Sequence, residues 1–442
     1  MRKGFFTGCK RTKHYAREIN KTDRNLWGEV LKYMEATAFA KLIEQDLVKW
    51  RRNFHQIPET GLNLPLTRAY LKDELLSLGP RCRVVELKAG ILVEIEPVDQ
   101  VNAKRTPFLL RFDMDALPVQ EETELDFSSR FQGYMHACGH DGHAAVGLGL
   151  AKILTANPGI QQGRVRIAFQ AGEETLEGAR LLVAEIDSWQ GLQGPAPLTP
   201  AEPGREIALA MHLDPQLPRG VIAIKSGQLN ARVDNLRVIF KGKPGHGAYP
   251  HLCADPVVAM ASFVTAAQTI ISRNLSPAQP AVLSFGKVAG GNVPNVIPEE
   301  IVLEGTLRSG GQDTASLVSS RLAQISAGIG QTYGVSVRTE IEEKCPAVLC
   351  DPDLAQWAKE ILQTELPENI VSFDRILMGG DDFAFFSQVM PALMFRIGAG
   401  SEKKDIVYPL HSNRFNFDEK ILVMAVAIFL NLITSNPENK EI

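Results

Sequence analysis

The chain has 442 residues, enough for one large domain or two ordinary ones, and its 45% hydrophobic and 22% charged content is that of a globular protein. Its 47 basic and 51 acidic residues give a net charge of −4, which argues against a nucleic-acid or membrane partner and favours a small molecule. The six cysteines lack CxxC spacing, so neither a thiolate zinc cage nor a disulfide framework is indicated. Cysteines without a disulfide pattern are typical of a protein in a reducing compartment, so we expect the cytoplasm.

The N-terminal segment, residues 1–40, is expected to be a basic extension of the fold. It lacks the apolar stretch of roughly 7–15 residues that a secretory signal needs. A transit peptide, a disordered extension and an over-long start remain open for this segment.

The first predicted elements are two helices, Leu42–Phe54 and Thr67–Leu78, in which apolar residues recur at helical spacing. Short β-rich runs follow, separated by helical stretches such as Ala144–Leu154 and Gly178–Ala184. The runs are Val84–Leu87, Ile91–Ile95, Phe108–Phe112, Val165–Phe169 and Ile207–Met211. Strands alternating with helices favour an α/β fold with a mostly parallel central sheet flanked by helices.

A second, smaller domain is predicted at residues 230–341, after an exposed Pro- and Gly-rich loop between Trp189 and Gly204. Its elements follow the β-α-β-β-α-β order of a ferredoxin-like α+β domain. They are Leu236–Lys241, Pro256–Arg273, Ala281–Val288, Ile301–Arg308, Ala315–Ile329 and Val335–Ile341. The larger domain would then comprise residues 41–229 and 342–442. It would end on the apolar run from Ile421 to Leu430, which is too short to span a bilayer and predicts a buried helix.

The densest chemical signal is His136-Ala-Cys-Gly-His-Asp-Gly-His143, a short glycine-containing turn before a predicted helix. Thiolate and imidazole groups both bind zinc-like cations, and glycine lets a loop fold its ligands toward one point. The sequence therefore predicts a metal site here. Two alternatives remain: a loop with surface histidines, and Cys138 as a nucleophile with a histidine base.

Two further acidic pairs follow predicted strands, where α/β folds place ligands. In the pair Glu173-Glu174, one carboxylate could bind metal while the other acts as a general base toward water, although exposed acidic pairs at helix starts are common. Asp113 and Asp115 end another strand, where Asp115 could accept a hydrogen bond from a ligating histidine. An Asp-rich turn is the alternative for the aspartates. His212 and His411, each considered alone, are more often structural than metal-binding.

Together these segments resemble the aminoacylase, hippurate hydrolase and auxin-conjugate amidohydrolase branch of a large metallopeptidase family. The resemblance runs from about His55 to Glu419 and rests on eight motifs in the family's order. The motifs are His55-Gln-Ile-Pro-Glu59, Asp113-Met-Asp-Ala-Leu-Pro118, His136-Ala-Cys-Gly-His-Asp-Gly-His143, Glu173-Glu174, Gly242-Lys-Pro-Gly-His246, Asn295-Val-Ile-Pro298, Asp381-Asp-Phe383 and His411.

The resemblance implies a site that holds two divalent metal ions, zinc, manganese or cobalt, with Glu173 as the general base. The implied ligands are Cys138, His140, Glu174, His212 and His411. His246 would polarise the scissile carbonyl, and Asn295 and Arg308 would bind the oxyanion or the substrate carboxylate. A surface hydrogen-bonding role is the alternative for the last two.

The implied reaction is hydrolysis of an N-acyl amino acid to a carboxylic acid and an amino acid. The implied assembly is a homodimer or higher homo-oligomer, in which His246 of each subunit contributes to the active site of a neighbouring subunit. Asp113 stands where relatives with peptidase activity have histidine, which favours the amidohydrolase branch. A dipeptidase or carboxypeptidase of the same family and a catalytically silent homologue are the rivals.

The sequence departs from the family pattern at three points. Ala171-Gly172 replaces the usual Pro-Ala before the glutamate pair, Asp381 replaces a glutamate, and Gly247 replaces a common alanine. Losing the proline removes a fixed φ, so the turn that aims Glu173 is expected to be looser.

Overall fold

The structure is a computed structural model that describes residues 36–97, 105–160, 163–190, 206–365, 369–400 and 408–435. Residues 1–35, most of the expected N-terminal extension, lie outside the described residues. So do residues 191–205, which hold most of the expected loop between Trp189 and Gly204.

The larger domain is built on one eight-stranded sheet with helices packed on it. Its helices are α1 (residues 36–42), α2 (Glu44–His55), α3 (Pro65–Ser77), α4 (His140–Ala156), α5 (Gly178–Gln190), α8 (Pro352–Glu365), α9 (Ala384–Val389) and α10 (Lys420–Ser435). Its strands are β1 (Arg83–Leu87), β2 (Gly90–Ile95), β3 (Phe108–Asp113), β4 (Val165–Gln170), β5 (Ile207–Pro218), β6 (Ile222–Ile224), β15 (Ile370–Ser372) and β16 (Ala392–Gly400). Their order in the sheet is β1-β2-β4-β3-β5-β16-β6-β15.

The centre of this sheet is parallel, as the alternation of strands and helices predicts. Strands β4, β3, β5 and β16 are parallel neighbours. Strand β1 pairs antiparallel with β2, β2 with β4 and β6 with β16, while the edge strand β15 pairs in parallel with β6. Every residue of β2, β3 and β4 is buried, as expected when helices cover both faces. The apolar helix α10 is buried against α2, α4 and α8, which agrees with the interpretation of the run from Ile421 to Leu430.

The smaller domain has its own four-stranded antiparallel sheet. Its elements in chain order are β8 (Arg232–Lys241), α6 (Pro256–Arg273), β10 (Ala281–Ala289), β12 (Glu300–Ser309), α7 (Gln312–Tyr333) and β13 (Ser336–Cys345). The strands lie in the order β10-β12-β8-β13. This is the β-α-β-β-α-β order that the sequence predicts. The two helices pack on the sheet and enclose a hydrophobic core separate from that of the larger domain.

The connection between the domains is formed by paired backbone. Strand β7 (Gly227–Gln228) pairs antiparallel with β14 (Leu349–Cys350), so the chain enters and leaves the smaller domain side by side. Strand β13 continues to Cys345, past the boundary that the sequence analysis places at residue 341. A further two-stranded ribbon, β9 (Gly245–His246) with β11 (Val296–Ile297), lies within the smaller domain.

Among the described residues, no helix is both long and apolar enough to cross a membrane.

Candidate metal centre

The motif that starts at His136 forms the entry to α4. Gly139 has a φ of 88°, a left-handed conformation that suits glycine, and the helix begins at the next residue, His140. The helix therefore starts earlier than the predicted stretch from Ala144, and it includes His140 and His143 in its first turn. Cys138 precedes it, and all three side chains are buried.

Three other segments converge on this helix start. The parallel strands β3 and β4 end side by side, which brings the loop that carries Asp115 next to the glutamate pair. His212 lies inside β5, because that strand runs on to Pro218 instead of ending at Met211 as expected. His411 has a φ of 65°, and its backbone N–H donates to the carbonyl of Ala137 at 2.8 Å.

The five expected ligands form two clusters that share Cys138. In each cluster the possible ligand atoms lie within 4.8 Å of one another; one contains Cys138, His140 and His212, and the other Cys138, Glu174 and His411. Cys138 Sγ is 3.5 Å from His212 Nε2, and His411 Nε2 is 3.6 Å from Glu174 Oε1. Each of the two clusters could hold a cation, and the sulfur atom of Cys138 belongs to both.

The free ring nitrogens of the histidines fit cation binding. His140 Nδ1 donates to the carbonyl of Asp115 at 2.9 Å, and His212 Nδ1 donates to the carbonyl of Leu213 at 2.7 Å. Each imidazole therefore presents the lone pair of Nε2 to the cluster. Two of the facing atoms, His140 Nε2 and Glu174 Oε1, are buried without a hydrogen-bond partner among the described residues. Buried polar atoms without partners are costly, and a cation would satisfy both of these.

The pKa values of the acidic groups in and beside the clusters are raised. Burial raises the pKa of the Cys138 thiol, and it raises the pKa of Glu174 to about 7. Burial, Asp381 and Glu174 together raise the pKa of Glu173 well above its usual value. A divalent cation reverses such shifts by stabilising the deprotonated forms.

Asp115 holds the turn that carries the glutamate pair. Its Oδ1 accepts a hydrogen bond from the backbone N–H of Glu173, and its Oδ2 accepts one from Glu174, both at 3.1 Å. The hydrogen bond from a histidine that the sequence suggests for Asp115 goes to its backbone carbonyl, which accepts from His140 Nδ1 at 2.9 Å. Gly172 takes a left-handed φ of 73°, which glycine adopts without strain, and its carbonyl accepts from Gly178. These hydrogen bonds hold the turn, and its looseness relative to a turn with proline stays a prediction.

Asp113 belongs to a buried network beneath the cluster. Its Oδ1 accepts from Nδ1 of His143 at 2.5 Å, and its Oδ2 accepts from Arg111 at 2.6 Å. Because the backbone N–H of Leu213 donates to His143 Nε2 at 3.2 Å, the ring proton of His143 sits on Nδ1. Arg111 also donates to Asp382 at 2.8 Å.

No role is predicted from the sequence for Arg111, His143 or Asp382. His143 and Asp382 lie within the quoted motifs, and Arg111 stands two positions before Asp113, but residue type alone does not indicate which charged side chains are buried or which partners they contact. The tertiary structure shows that all three are buried, and that they link the strand ends to α4.

The cluster opens into a cavity of about 390 Å³ between the two domains. The residues that line it are Cys138, Glu173, Glu174, Leu176, His212, Asn230, Arg308, Leu377, Met378, Gly379, Gly380, Asp381, Arg396, Leu410 and His411. Arg308 thus lines the same cavity as the glutamate pair. Arg396 is a second guanidinium in this lining, and the sequence analysis did not identify it.

His246 and Asn295 do not line this cavity. They lie together on the β9–β11 ribbon, where the carbonyl of Asn295 accepts from the N–H of Gly247 at 2.8 Å. Both side chains are exposed. Within one chain, the two residues are therefore not brought to the glutamate pair.

The comparisons with known proteins agree with this geometry. Residues 109–435 match the profile of peptidase family M20/M25/M40. An N-acetyldiaminopimelate deacetylase of Listeria monocytogenes is 35% identical over 88% of this chain and 99% of its own length. A dinuclear metal-binding M20 peptidase of Bacillus subtilis is 28% identical, with a TM-score of 0.73 over 89% of this chain and 98% of its own. A structure from methicillin-resistant Staphylococcus aureus is 27% identical, with a TM-score of 0.80 over 91% of this chain and 99% of its own. The chain belongs to peptidase family M20/M25/M40 and is a metal-dependent amidohydrolase.

Proposed function

We propose that the protein hydrolyses the amide bond of N-acyl amino acids, releasing a carboxylic acid and an amino acid. The observation that carries the proposal is the position of Glu173, which lies at the edge of two ligand clusters joined by Cys138 and faces a cavity that also contains Arg308. The similarity to a deacetylase of an N-acetylated amino acid supports this substrate class.

The cofactors in this proposal are two divalent cations, zinc, manganese or cobalt. Cys138, His140 and His212 would hold one, and Cys138, Glu174 and His411 the other. Such cations supply Lewis acidity and lower the pKa of water. The thiolate of Cys138, shared by both cations, would favour a softer metal ion.

Glu173 acts as the general base and then as the general acid. It takes a proton from the water that attacks the acyl carbon, and it returns this proton to the leaving nitrogen as the C–N bond breaks. Glu173 lines the cavity, so its carboxylate is placed to meet both the attacking water and the leaving nitrogen. Asp115 fixes its backbone.

The cavity wall supplied by the smaller domain would bind the substrate. Arg308 is half-buried, and it has no ion-pair or hydrogen-bond partner among the described residues, so its guanidinium is available to the α-carboxylate. His246 and Asn295 would contact the oxyanion. Since both lie away from the cavity of their own chain, we place them in the site of a second subunit, within a homodimer or higher homo-oligomer.

The function is tested by a hydrolysis screen. Purified protein, freed of metal and reloaded with zinc, manganese or cobalt, is assayed on N-acetyl, N-benzoyl and indole-acetyl amino acids and on dipeptides. Faster turnover of the N-acyl amino acids supports the proposal, and faster turnover of dipeptides favours a dipeptidase. No hydrolysis of either class by metal-loaded protein would favour a silent homologue.

A further inference from the structure

Arg396 is an unexpected charge in the wall of the cavity. It lies on β16 within an otherwise apolar run, Ala392–Ile397, in which each residue is buried. It is directly opposite His212 of the parallel strand β5, so both side chains point to the face of the sheet that carries the ligand clusters. Although only 6% exposed, Arg396 lines the cavity together with Glu173 and Arg308.

Its hydrogen bonds leave one edge of the guanidinium open. Arg396 Nε donates to Asp214 Oδ2 at 3.3 Å, and Asp214 is itself buried and accepts from the backbone N–H of Gln216. Neither Nη1 nor Nη2 has a hydrogen-bond partner among the described residues. Asp214 therefore orients the guanidinium and leaves its two terminal nitrogens for another acceptor.

We infer that Arg396 is a specificity-determining residue that binds a second carboxylate of the substrate. The two terminal nitrogens of a guanidinium match the two oxygens of a carboxylate, and burial strengthens such a charge-assisted pair. Asp214 contacts only Nε, so an apolar acyl group in the cavity would leave the terminal N–H groups of this buried arginine without acceptors. With Arg308 assigned to the α-carboxylate, the favoured substrate is an N-acyl amino acid with two carboxylates. This inference rests on the proposed function.

The kinetic test uses Arg396→Met, with Arg375→Met as the matched control. Arg375 is an exposed arginine that donates to Gln216 of the same strand β5, but it does not line the cavity. The metal-loaded proteins are assayed on three substrates. N-acetylmethionine has one carboxylate, N-acetylglutamate has a second carboxylate on the amino acid, and N-succinylmethionine has a second carboxylate on the acyl group.

The measured quantity is kcat/KM for a dicarboxylate divided by kcat/KM for N-acetylmethionine. For one of the two dicarboxylates, Arg396→Met should lower this ratio by at least about tenfold, because the variant raises KM for that substrate. Arg375→Met should leave this ratio within about twofold of wild type. The substrate that responds shows on which side the second carboxylate lies. A ratio unchanged by Arg396→Met for both dicarboxylates would mean that Arg396 only pairs with Asp214, and it would overturn the inference.

A binding measurement separates this inference from the proposed function. Calorimetry of glutarate and butyrate with the metal-loaded proteins should show that Arg396→Met raises the Kd of glutarate at least about tenfold while that of butyrate changes much less. If wild type hydrolyses no N-acyl amino acid, the proposed function fails, but the glutarate comparison still decides the role of Arg396. Equal effects of the variant on both acids would contradict it.

Discussion

The carboxylate of Asp115 accepts a hydrogen bond from the backbone N–H of Glu173, 58 positions further along the chain, at 3.1 Å. A second bond of the same length joins it to the N–H of Glu174. One side chain thus sets the direction of both the proposed base and a proposed ligand.

We predict that Asp115→Asn lowers kcat by about 10–100-fold with a smaller change in KM. An amide can accept only one of the two hydrogen bonds, and its NH2 group would face the other N–H. Steady-state kinetics with a hydrolysed N-acyl amino acid checks this. Elemental analysis shows whether metal is retained, and a variant with wild-type kcat would contradict the positioning role.

Glu173→Gln should reduce turnover by at least about 10²–10⁴-fold while the metal content stays near that of wild type. Glutamine keeps the size of the side chain but cannot take a proton. Turnover assays and elemental analysis on the same purified sample measure both effects. Near-normal turnover would refute the assignment of the base.

Cys138→Ser should weaken metal binding, and part of the lost turnover should return when metal is supplied in excess. A buried hydroxyl is a poorer ligand than a thiolate, and Cys138 is the residue that both clusters share. Metal titration followed by activity measures the effect. An acyl group found on Cys138 by mass spectrometry during turnover would show that it is a nucleophile instead.

The proposed exchange of His246 predicts complementation. Inactive Glu173→Gln chains and inactive His246→Ala chains are dissociated together, reassociated and assayed. If His246 acts across the interface, a mixed dimer contains one complete site and regains activity. If it acts within its own chain, every site lacks one group. Absence of activity in mixed dimers verified by mass spectrometry would exclude the exchange.

The pH dependence of stability should reflect His55, which is buried and bonded to Asp141 at 2.8 Å and to Glu121 at 3.2 Å. Burial lowers the pKa of His55, but the hydrogen bonds to both carboxylates outweigh it, so the pKa in the folded state lies above the usual 6.5. The stabilisation by protonated His55 is therefore complete below about pH 6.5 and is lost as the pH rises through the folded-state pKa.

This dependence is measured by urea unfolding between about pH 5.5 and 8.5, a window that starts below the usual histidine pKa. The difference in unfolding midpoint between wild type and His55→Gln should be largest at the acidic end and should shrink as the pH rises. A difference that is constant across the range would show that His55 does not titrate in this way.

The sequence by itself determines the fold class and the chemical character of the site. Alternating hydrophobic runs predict the mostly parallel sheet and the inserted β-α-β-β-α-β domain, because side-chain periodicity follows secondary structure wherever one face is buried. The motif from His136 to His143 and the pair Glu173-Glu174 predict metal chemistry, because thiolate, imidazole and carboxylate groups are the side chains that bind cations.

The tertiary structure decides which atoms meet. Asp115 supports the glutamate turn through its carboxylate and His140 through its carbonyl, a division that residue type does not encode. Arg396 faces the cavity only because β16 pairs in parallel with β5, in a register that sets it opposite His212. Registers between strands far apart in sequence depend on how the whole core packs, and a shift of one residue would turn Arg396 to the other face of the sheet.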